Sequence, residues 1–243
     1  VGQSFISKNF KKFIRENPPQ NHWHISEELH LIDPFQTITR QIIVSPEYFF
    51  SKLIEDLDYI HFVQHDDGGQ DEAYLGNWVN SENQVKRRLA RFFENLTTFS
   101  DLTAVKYLLD HVPSSAQLHV ANSMPVRYVT MLGIDREGID VYANRGTSGI
   151  DGCVSTAVGA AMISLLPVYL LVGDVAFLYD RNGLLLSELP SNLKIILLNN
   201  AGGTIFRMID GPASQPELES YFETRHGYTA QRTAADSGIR YFV

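Results

Sequence analysis

Two polar residues, each placed after an apolar run, have types and spacing that could act together on one ligand. Asp174 follows the run at 168–172 and a glycine, and Asn200 ends an Asn-Asn pair after the run at 193–198. The two residues are 26 positions apart, which leaves room for a helix and a return strand, so both can reach one edge of a sheet. A carboxylate and an amide oxygen there would suit Mg²⁺, which prefers hard oxygen ligands.

The residues around this pair favour a bound anion as well as a metal. Gly202 and Gly203 allow the backbone to approach closely, so that a carbonyl oxygen can join the metal ligands. A helix that starts just after Asp174 would direct free N–H groups toward an anion. The alternative is two ordinary strand-ending turns, because Asn, Asp and Gly are common in turns.

The second half of the chain has the alternation of helix and strand that could position these groups. Strands are predicted at 117–121, 141–143, 168–172 and 193–198, after a helix at 101–110 that Asp101 would cap, and 238–243 reads as the start of another strand. Each of the four strands ends in polar or glycine-rich residues. This pattern predicts an α/β fold with a mainly parallel sheet, helices on both faces and ligands outside the carboxyl ends of the strands.

Residues 1–96 have a different pattern and are predicted to be the end of one domain plus a helical connector. Helices are predicted at 7–16, 45–57 and 82–96, short strands at 22–25 and 29–33, and a solvated acidic loop at 65–72. In the third helix the residues expected to face inward are Val85, Leu89, Phe92 and Phe93. The second domain is predicted to be 97–243, truncated at its C-terminus, and the chain is interpreted as a fragment because it begins at Val1.

Composition narrows the class of protein. The 243 residues are 44% apolar, which is typical of a globular chain with one core or one core and part of another. The net charge of −8 argues against a nucleic-acid partner. Cys153 is the only cysteine, which excludes an internal disulfide and fits the reducing cytoplasm. The longest apolar stretch, 157–172, is too short to span a membrane.

Four motifs, taken together, resemble one enzyme family. They are NSMPVR at 122–127, NRGTSGIDG at 144–152, GDVAFLYDRNG at 173–183 and NNAGGTIF at 199–206. The last two resemble the motif that binds thiamine diphosphate (ThDP), and all four in this order resemble the SEPHCHC synthases (MenD family) of menaquinone biosynthesis. The resemblance implies a ThDP-dependent transferase that decarboxylates 2-oxoglutarate and adds the succinyl group to isochorismate. It identifies 1–96 with the end of the family's middle domain and 97–243 with its diphosphate-binding domain.

The same resemblance assigns a role to each matching residue. The metal ligands for Mg²⁺, or Mn²⁺ in its place, would be Asp174, Asn200 and the carbonyl of Gly202. Substrate would contact Ser123, Phe206 and two carboxylate-binding arginines, Arg127 and Arg145. The residues expected around ThDP are Asn122, Ser123, Ser148, Gly149, Ile150, Gly173, Asp174, Val175, Ala176, Asn200, Gly202, Ile205 and Phe206.

Some features of the family are not matched here. Val175 stands where many ThDP enzymes have a third motif glycine, and Ala201 follows the Asn pair where some relatives have another Asn. Neither departure removes a metal ligand. The glutamate that activates the cofactor is expected in an N-terminal domain of a neighbouring subunit, so no catalytic residue is assigned in this chain. The isolated fragment is therefore expected to be nearly inactive, and the full-length protein to be a cytoplasmic homodimer or homotetramer.

Two other functions stay open at this stage. Another ThDP-dependent 2-oxoacid decarboxylase or synthase would share Asp174 and Asn200 but would not need the paired arginines. A non-catalytic anion- or nucleotide-binding α/β module would use the glycine-rich strand ends to hold a ligand without chemistry.

Overall fold

The computed structural model describes residues 6–29, 33–63 and 69–243. Within these residues the chain divides into two compact units, Val1–Leu96 and Thr97–Val243. Among the described helices, none combines the length and apolar character that crossing a membrane requires.

The first unit contains a short parallel sheet and three helices. Their bounds are α1 Lys8–Glu16, β1 Trp23–Ser26, β2 Arg40–Ile43, α2 Pro46–Val63 and α3 Gly69–Asn95. The two strands pair in parallel, with Trp23 opposite Arg40. The hydroxyl of Ser7 caps α1 by accepting a hydrogen bond from the Phe10 amide at 3.1 Å, and Pro18 and Pro19 follow the helix end as the sequence predicts.

Several predictions for this unit need correction. Helix α2 is longer than predicted, and α3 begins at Gly69 rather than at 82, so the second half of the predicted acidic loop is helical. Val85 and Phe92 are exposed, whereas Leu89 and Phe93 are partly buried. The polar composition of the first half of α3 hid its helical character. The first half of that loop, up to residue 68, and residues 30–32 of the predicted second strand lie outside the described residues.

The second unit is an α/β domain, as predicted. Its regular elements are α4 Asp101–His111, β3 Ala116–Val120, α5 Met124–Leu132, β4 Ile139–Tyr142, α6 Cys153–Ile163, β5 Val168–Gly173, α7 Asp174–Asp180, β6 Leu193–Leu198 and α8 Gln231–Asp236. The four strands form one parallel sheet in the order β4-β3-β5-β6. Short 3₁₀ turns at Arg181–Leu184, Thr204–Met208 and Pro212–Ser214 and a π turn at Leu218–Phe222 fill the connections.

The core of this unit lies on both faces of strand β5. Leu170 and Val172 belong to a buried cluster with Val154 and Val158 of α6. Leu171, which alternation directs to the opposite face, is also fully buried. Helix α5 packs against β3 and β5. Burial on both faces explains why β5 reads as a continuous apolar run.

The cap of α4 and the last segment of the chain differ from the prediction. Ser100, not Asp101, caps α4: the Ser100 hydroxyl accepts from the Thr103 amide at 3.4 Å, and the Ser100 amide donates to the Thr103 hydroxyl at 2.8 Å. The segment at 238–243 forms no strand. The Ile239 amide instead donates back to the Ala234 carbonyl at 2.8 Å, which closes the end of α8.

Candidate functional site

The carboxylate of Asp174 lies where strand β5 ends and α7 begins, and it is almost fully buried, with 4% of the residue exposed. Its Oδ1 accepts from the Val175 amide at 2.7 Å, and its Oδ2 accepts from the Gly202 amide at 2.9 Å. The second bond crosses from β5 to the loop after β6, because Gly173 pairs with Leu198 in the sheet. The ends of the two strands therefore lie side by side.

Asn200 follows β6 and keeps its side chain at the surface of the same site. Its Nδ2 donates to Asp101 Oδ2 at 2.8 Å and to the Thr204 hydroxyl at 3.3 Å. Among the described residues no donor bonds to its Oδ1. A carboxamide oxygen is thus available next to the loop that contacts Asp174.

The loop after β6 approaches the segment at Glu223 closely, and Gly202 permits this approach. Gly202 has φ +154°, and a Cβ added there would lie 2.7 Å from the carbonyl oxygen of Glu223. The Gly203 amide donates to that same carbonyl at 2.6 Å. The carbonyl of Gly202 accepts from the Thr204 amide at 3.0 Å, which leaves one of its lone pairs for another partner.

A cavity of about 510 Å³ opens at the carboxyl ends of the strands. All the residues predicted to bind metal, cofactor or substrate line this cavity except Gly149. The Gly149 carbonyl accepts a hydrogen bond at 2.7 Å from the side chain of Asn122, which does line it. The structure thus brings together Asn122, Ser123, Arg127, Arg145, Ser148, Ile150, Gly173, Asp174, Val175, Ala176, Asn200, Gly202, Ile205 and Phe206. Further lining residues that were not predicted include Asp101, Met124, Thr204, Ile209, Tyr221, Phe222 and Glu223.

Two arginines line this cavity without a carboxylate partner among the described residues. Arg127 Nη1 donates to the Ser123 carbonyl, and Arg145 Nη1 donates to Asn122 Oδ1, both at 2.6 Å. The Nε of Arg145 is buried and has no hydrogen-bond partner. Burial, and then the charge of Arg145, lower the pKa of Arg127. Two like charges in one partly desolvated place indicate a binding site for anions.

The turn after β4 is built around the Asn122 side chain. Asn122 Nδ2 donates to the carbonyls of Asn144 and Gly149 at 2.8 and 2.7 Å. A Cβ added at Gly149 would fall 2.1 Å from Asp151 Oδ1, so a larger residue there would require the exposed Asp151 side chain to move. Ser123 and Ser148, which both line the cavity, have positive φ angles of 73° and 61°. Strained backbone of this kind is costly and concentrates at functional sites.

Sequence reasoning missed His226, which lies against the predicted metal ligand. The side chain is buried, and its Nε2 lies 3.3 Å from Asp174 Oδ2. Its Nδ1 accepts from the Tyr228 amide at 3.1 Å. An accepting Nδ1 places the proton of a neutral ring on Nε2, which then faces the carboxylate. The histidine lies in an irregular segment far along the chain, so neither periodicity nor spacing marks it.

Glu223, also missed, belongs to a cluster of charges beside the loop. Arg225 Nε donates to its Oε2 at 2.9 Å, Arg207 Nη2 donates to the same oxygen at 3.1 Å, and both arginines also reach Glu219. The hydrogen bonds from Arg225 and then from Arg207 lower the pKa of Glu223. The Glu223 carboxylate is therefore held ionised by its two arginine partners.

The donors at the strand ends fit a divalent cation. Asp174 is buried and forms no ion pair with lysine or arginine in the described part of the chain, so its charge is not balanced by a fixed cation. Asn200 Oδ1 and the Gly202 carbonyl add neutral oxygens, the donor types that Mg²⁺ prefers. No group of three His, Cys, Asp or Glu side chains in the described ranges could hold a metal, but this set needs only one carboxylate.

The fold and the cavity define an α/β domain with a candidate ligand site outside the carboxyl ends of a parallel sheet, with oxygen donors after β5 and β6 and arginines after β3 and β4. No protein-family model matches the chain. It is 39% identical over 240 residues to the 2-succinyl-5-enolpyruvyl-6-hydroxy-3-cyclohexene-1-carboxylate synthase of Cytophaga hutchinsonii, and 35% and 33% identical over 241 residues to those of Flavobacterium johnsoniae and Bacteroides fragilis.

Each of these alignments covers 99% of the chain and 40–41% of the relative. The chain therefore spans about two fifths of the length of the curated relatives that it matches. The comparisons confirm the resemblance read from the four motifs: the chain is related along almost its whole length to the SEPHCHC synthases.

Proposed function

We propose that this chain forms the part of a SEPHCHC synthase that binds ThDP and a divalent metal. In the complete enzyme it would serve the decarboxylation of 2-oxoglutarate and the transfer of the succinyl group to isochorismate in menaquinone biosynthesis. The names of the relatives support this reaction. The observation that carries the proposal is the buried carboxylate of Asp174, which has no lysine or arginine partner among the described residues, beside the free carboxamide oxygen of Asn200.

On this proposal Asp174, Asn200 and the Gly202 carbonyl hold Mg²⁺, and Mn²⁺ can replace it at the same oxygen donors. Residues 97–243 act as the diphosphate-binding domain, and residues 1–96 as the end of the middle domain with its connector. The remaining lining residues predicted for the cofactor, from Asn122 to Phe206, surround ThDP. When bound, ThDP supplies the carbanion chemistry of the reaction.

The side chains of this unit bind and orient the substrates. Arg127 and Arg145 hold their carboxylates, a task that suits planar guanidinium groups making two parallel hydrogen bonds. Both arginines line the cavity, and neither has a carboxylate partner among the described residues. Ile205 and Phe206 add apolar surface that keeps water away from the reacting groups.

Proton transfer to the cofactor requires a group that this cavity does not provide. Among the described residues Glu223 is the only glutamate that lines the cavity, and its two arginine partners keep it ionised. An activating glutamate from another domain or subunit would be worth roughly 10²–10⁴-fold in rate. We therefore expect this chain alone to be nearly inactive, and the complete enzyme to be a cytoplasmic homo-oligomer whose site is completed by a neighbouring subunit.

Calorimetry on the chain tests the binding function. ThDP should bind only when Mg²⁺ or Mn²⁺ is present, and Asp174→Ala should abolish this metal-dependent binding. The control Asp110→Ala changes a carboxylate that forms an exposed ion pair with Lys106 on α4 and should bind like the wild type. Preferential binding of ATP or NAD, or unchanged binding by Asp174→Ala, would contradict the proposal. If the complete enzyme decarboxylated 2-oxoglutarate but did not use isochorismate as the acceptor, it would be a different ThDP enzyme.

A further inference from the structure

The carboxylate of Asp101 bonds to a residue that is distant along the chain and belongs to the candidate metal site. Asp101 Oδ2 accepts from Asn200 Nδ2 at 2.8 Å. Asp101 is the first residue of α4, and the capping interactions between Ser100 and Thr103 fix this end of the helix. Its carboxylate lines the same cavity as Asp174.

This contact determines which end of the Asn200 carboxamide faces the metal. An ionised carboxylate can only accept hydrogen bonds, so the NH₂ end of the amide must point toward Asp101. The oxygen is then directed away from Asp101, and no described residue donates to it. Mg²⁺ binds oxygen and not an amide NH₂ group, so the orientation decides whether Asn200 can act as a ligand.

We propose that Asp101 is a positioning residue for the metal site: it holds the Asn200 side chain with its oxygen available to the divalent cation. This inference rests on the proposed function, because it requires Asn200 to be a metal ligand. Partners of this kind, which bond to the ligand and not to the metal, typically change metal affinity by about 10–100-fold when they are removed. The hydroxyl of Thr204, at 3.3 Å from the same Nδ2, assists more weakly.

The test compares Asp101→Asn with Asp110→Asn in the full chain. Asparagine keeps the shape of the side chain, but its own NH₂ group can meet Asn200 and no longer selects one orientation of the amide. Asp110 belongs to the same helix, bonds to Lys106 at the surface and lies away from the cavity. Mg²⁺ is titrated calorimetrically at saturating ThDP, ThDP is titrated at saturating Mg²⁺, and thermal unfolding is measured without either ligand.

We expect Asp101→Asn to weaken Mg²⁺ binding about tenfold. Its affinity for ThDP at saturating Mg²⁺ and its unfolding midpoint should stay near those of Asp110→Asn. Asp101→Ser, which also removes the carboxylate and suits the first turn of a helix, should show the same loss and guards against a folding defect specific to one variant.

Unchanged Mg²⁺ affinity in both Asp101 variants, or an equal loss in Asp110→Asn, would overturn the inference and leave the proposed function intact. A parallel loss of ThDP affinity at saturating Mg²⁺ would also overturn it, because Asp101 would then have a general structural role. Absence of metal-dependent ThDP binding in the wild type would instead overturn the proposed function, and the inference with it.

Discussion

Replacing Gly202 by alanine should damage both the stability and the metal site of the second unit. Gly202 has φ +154°, which L-residues rarely adopt, and an added Cβ would meet the Glu223 carbonyl oxygen at 2.7 Å and the Arg225 Cα at 3.5 Å. An ordinary contact begins at 3.4 Å, so one of two backbone segments must move by several tenths of an ångström. Either movement disturbs the hydrogen bond from the Gly203 amide to the Glu223 carbonyl.

The cost can be built from two contributions. The backbone strain is worth about 1–3 kcal/mol, and the loss of one hydrogen bond about 0.5–1.5 kcal/mol. Together they predict that Gly202→Ala lowers the free energy of unfolding by about 1.5–4.5 kcal/mol. The Gly202 amide also donates to Asp174 and its carbonyl is a proposed ligand, so Mg²⁺ affinity should fall by at least about tenfold because Mg²⁺ requires near-ideal geometry.

Gly133→Ala is the matched control. Gly133 follows α5 with φ +73°, and a Cβ there would meet nothing within 4 Å, so the substitution introduces backbone strain without a collision. Urea unfolding followed by circular dichroism, and calorimetric titration of Mg²⁺ at saturating ThDP, should be applied to both variants. If Gly202→Ala were no less stable than Gly133→Ala and bound Mg²⁺ like the wild type, the reasoning from the close approach of the two segments would be refuted.

Three further substitutions test other parts of the unit. Arg145→Ala should leave Mg²⁺-dependent ThDP binding unchanged but raise the KM of the complete enzyme for 2-oxoglutarate about tenfold or more, because it removes a charged hydrogen bond. The control Arg232→Ala changes an exposed arginine and should alter neither ThDP binding nor the KM. Loss of ThDP binding in Arg145→Ala would contradict this division of roles. Gly183→Ala places a Cβ 2.8 Å from the backbone of α6 and should lower the free energy of unfolding in urea by about 1–3 kcal/mol. Gly159→Ala adds a Cβ in open space within α6 and should raise that free energy by about 0.5–1 kcal/mol. Equal effects of the two substitutions would be inconsistent with the packing. Glu223 has a lowered pKa in the folded protein. Its contribution to stability is therefore complete above the unfolded pKa of about 4.3 and is lost as the pH falls through the lower folded pKa. The difference in unfolding free energy between the wild type and Glu223→Gln should shrink in acid, and a difference independent of pH would argue against this role.

The parts of the fold that local chemistry determines were predictable from the sequence. Strand β6 has the predicted bounds, and β3, β4 and β5 differ from the prediction by at most two residues at either end. Strand β5 is buried on both faces, so its sequence is apolar throughout and is easily recognised. Polar residues after such strands collect at one edge of a parallel sheet, which is why Asp174 and Asn200 could be expected at one site.

The contacts that hold those residues could not be predicted in the same way. Asp101 and Asn200 are 99 positions apart, and only the folded chain brings them together. His226 and Glu223 belong to a segment without regular periodicity, where polar residues are compatible with any loop. The first half of α3 was missed because its local sequence is polar and the helix has no strongly apolar face.

The distribution of charge around the cavity limits the kind of ligand that can bind there. Asp174, Arg127 and Arg145 all line it, yet in the described part of the chain neither arginine forms an ion pair with the aspartate. Burying a charge without a partner is costly, and a direct ion pair would have reduced that cost. A ligand of one sign cannot balance both the carboxylate and the two guanidinium groups. Both charges are balanced if a divalent cation binds at the carboxylate and if an anionic cofactor and carboxylate substrates bind at the arginines. The presence of both charges without an ion pair between them therefore favours a metal-dependent site for anionic ligands over a simple anion-binding pocket.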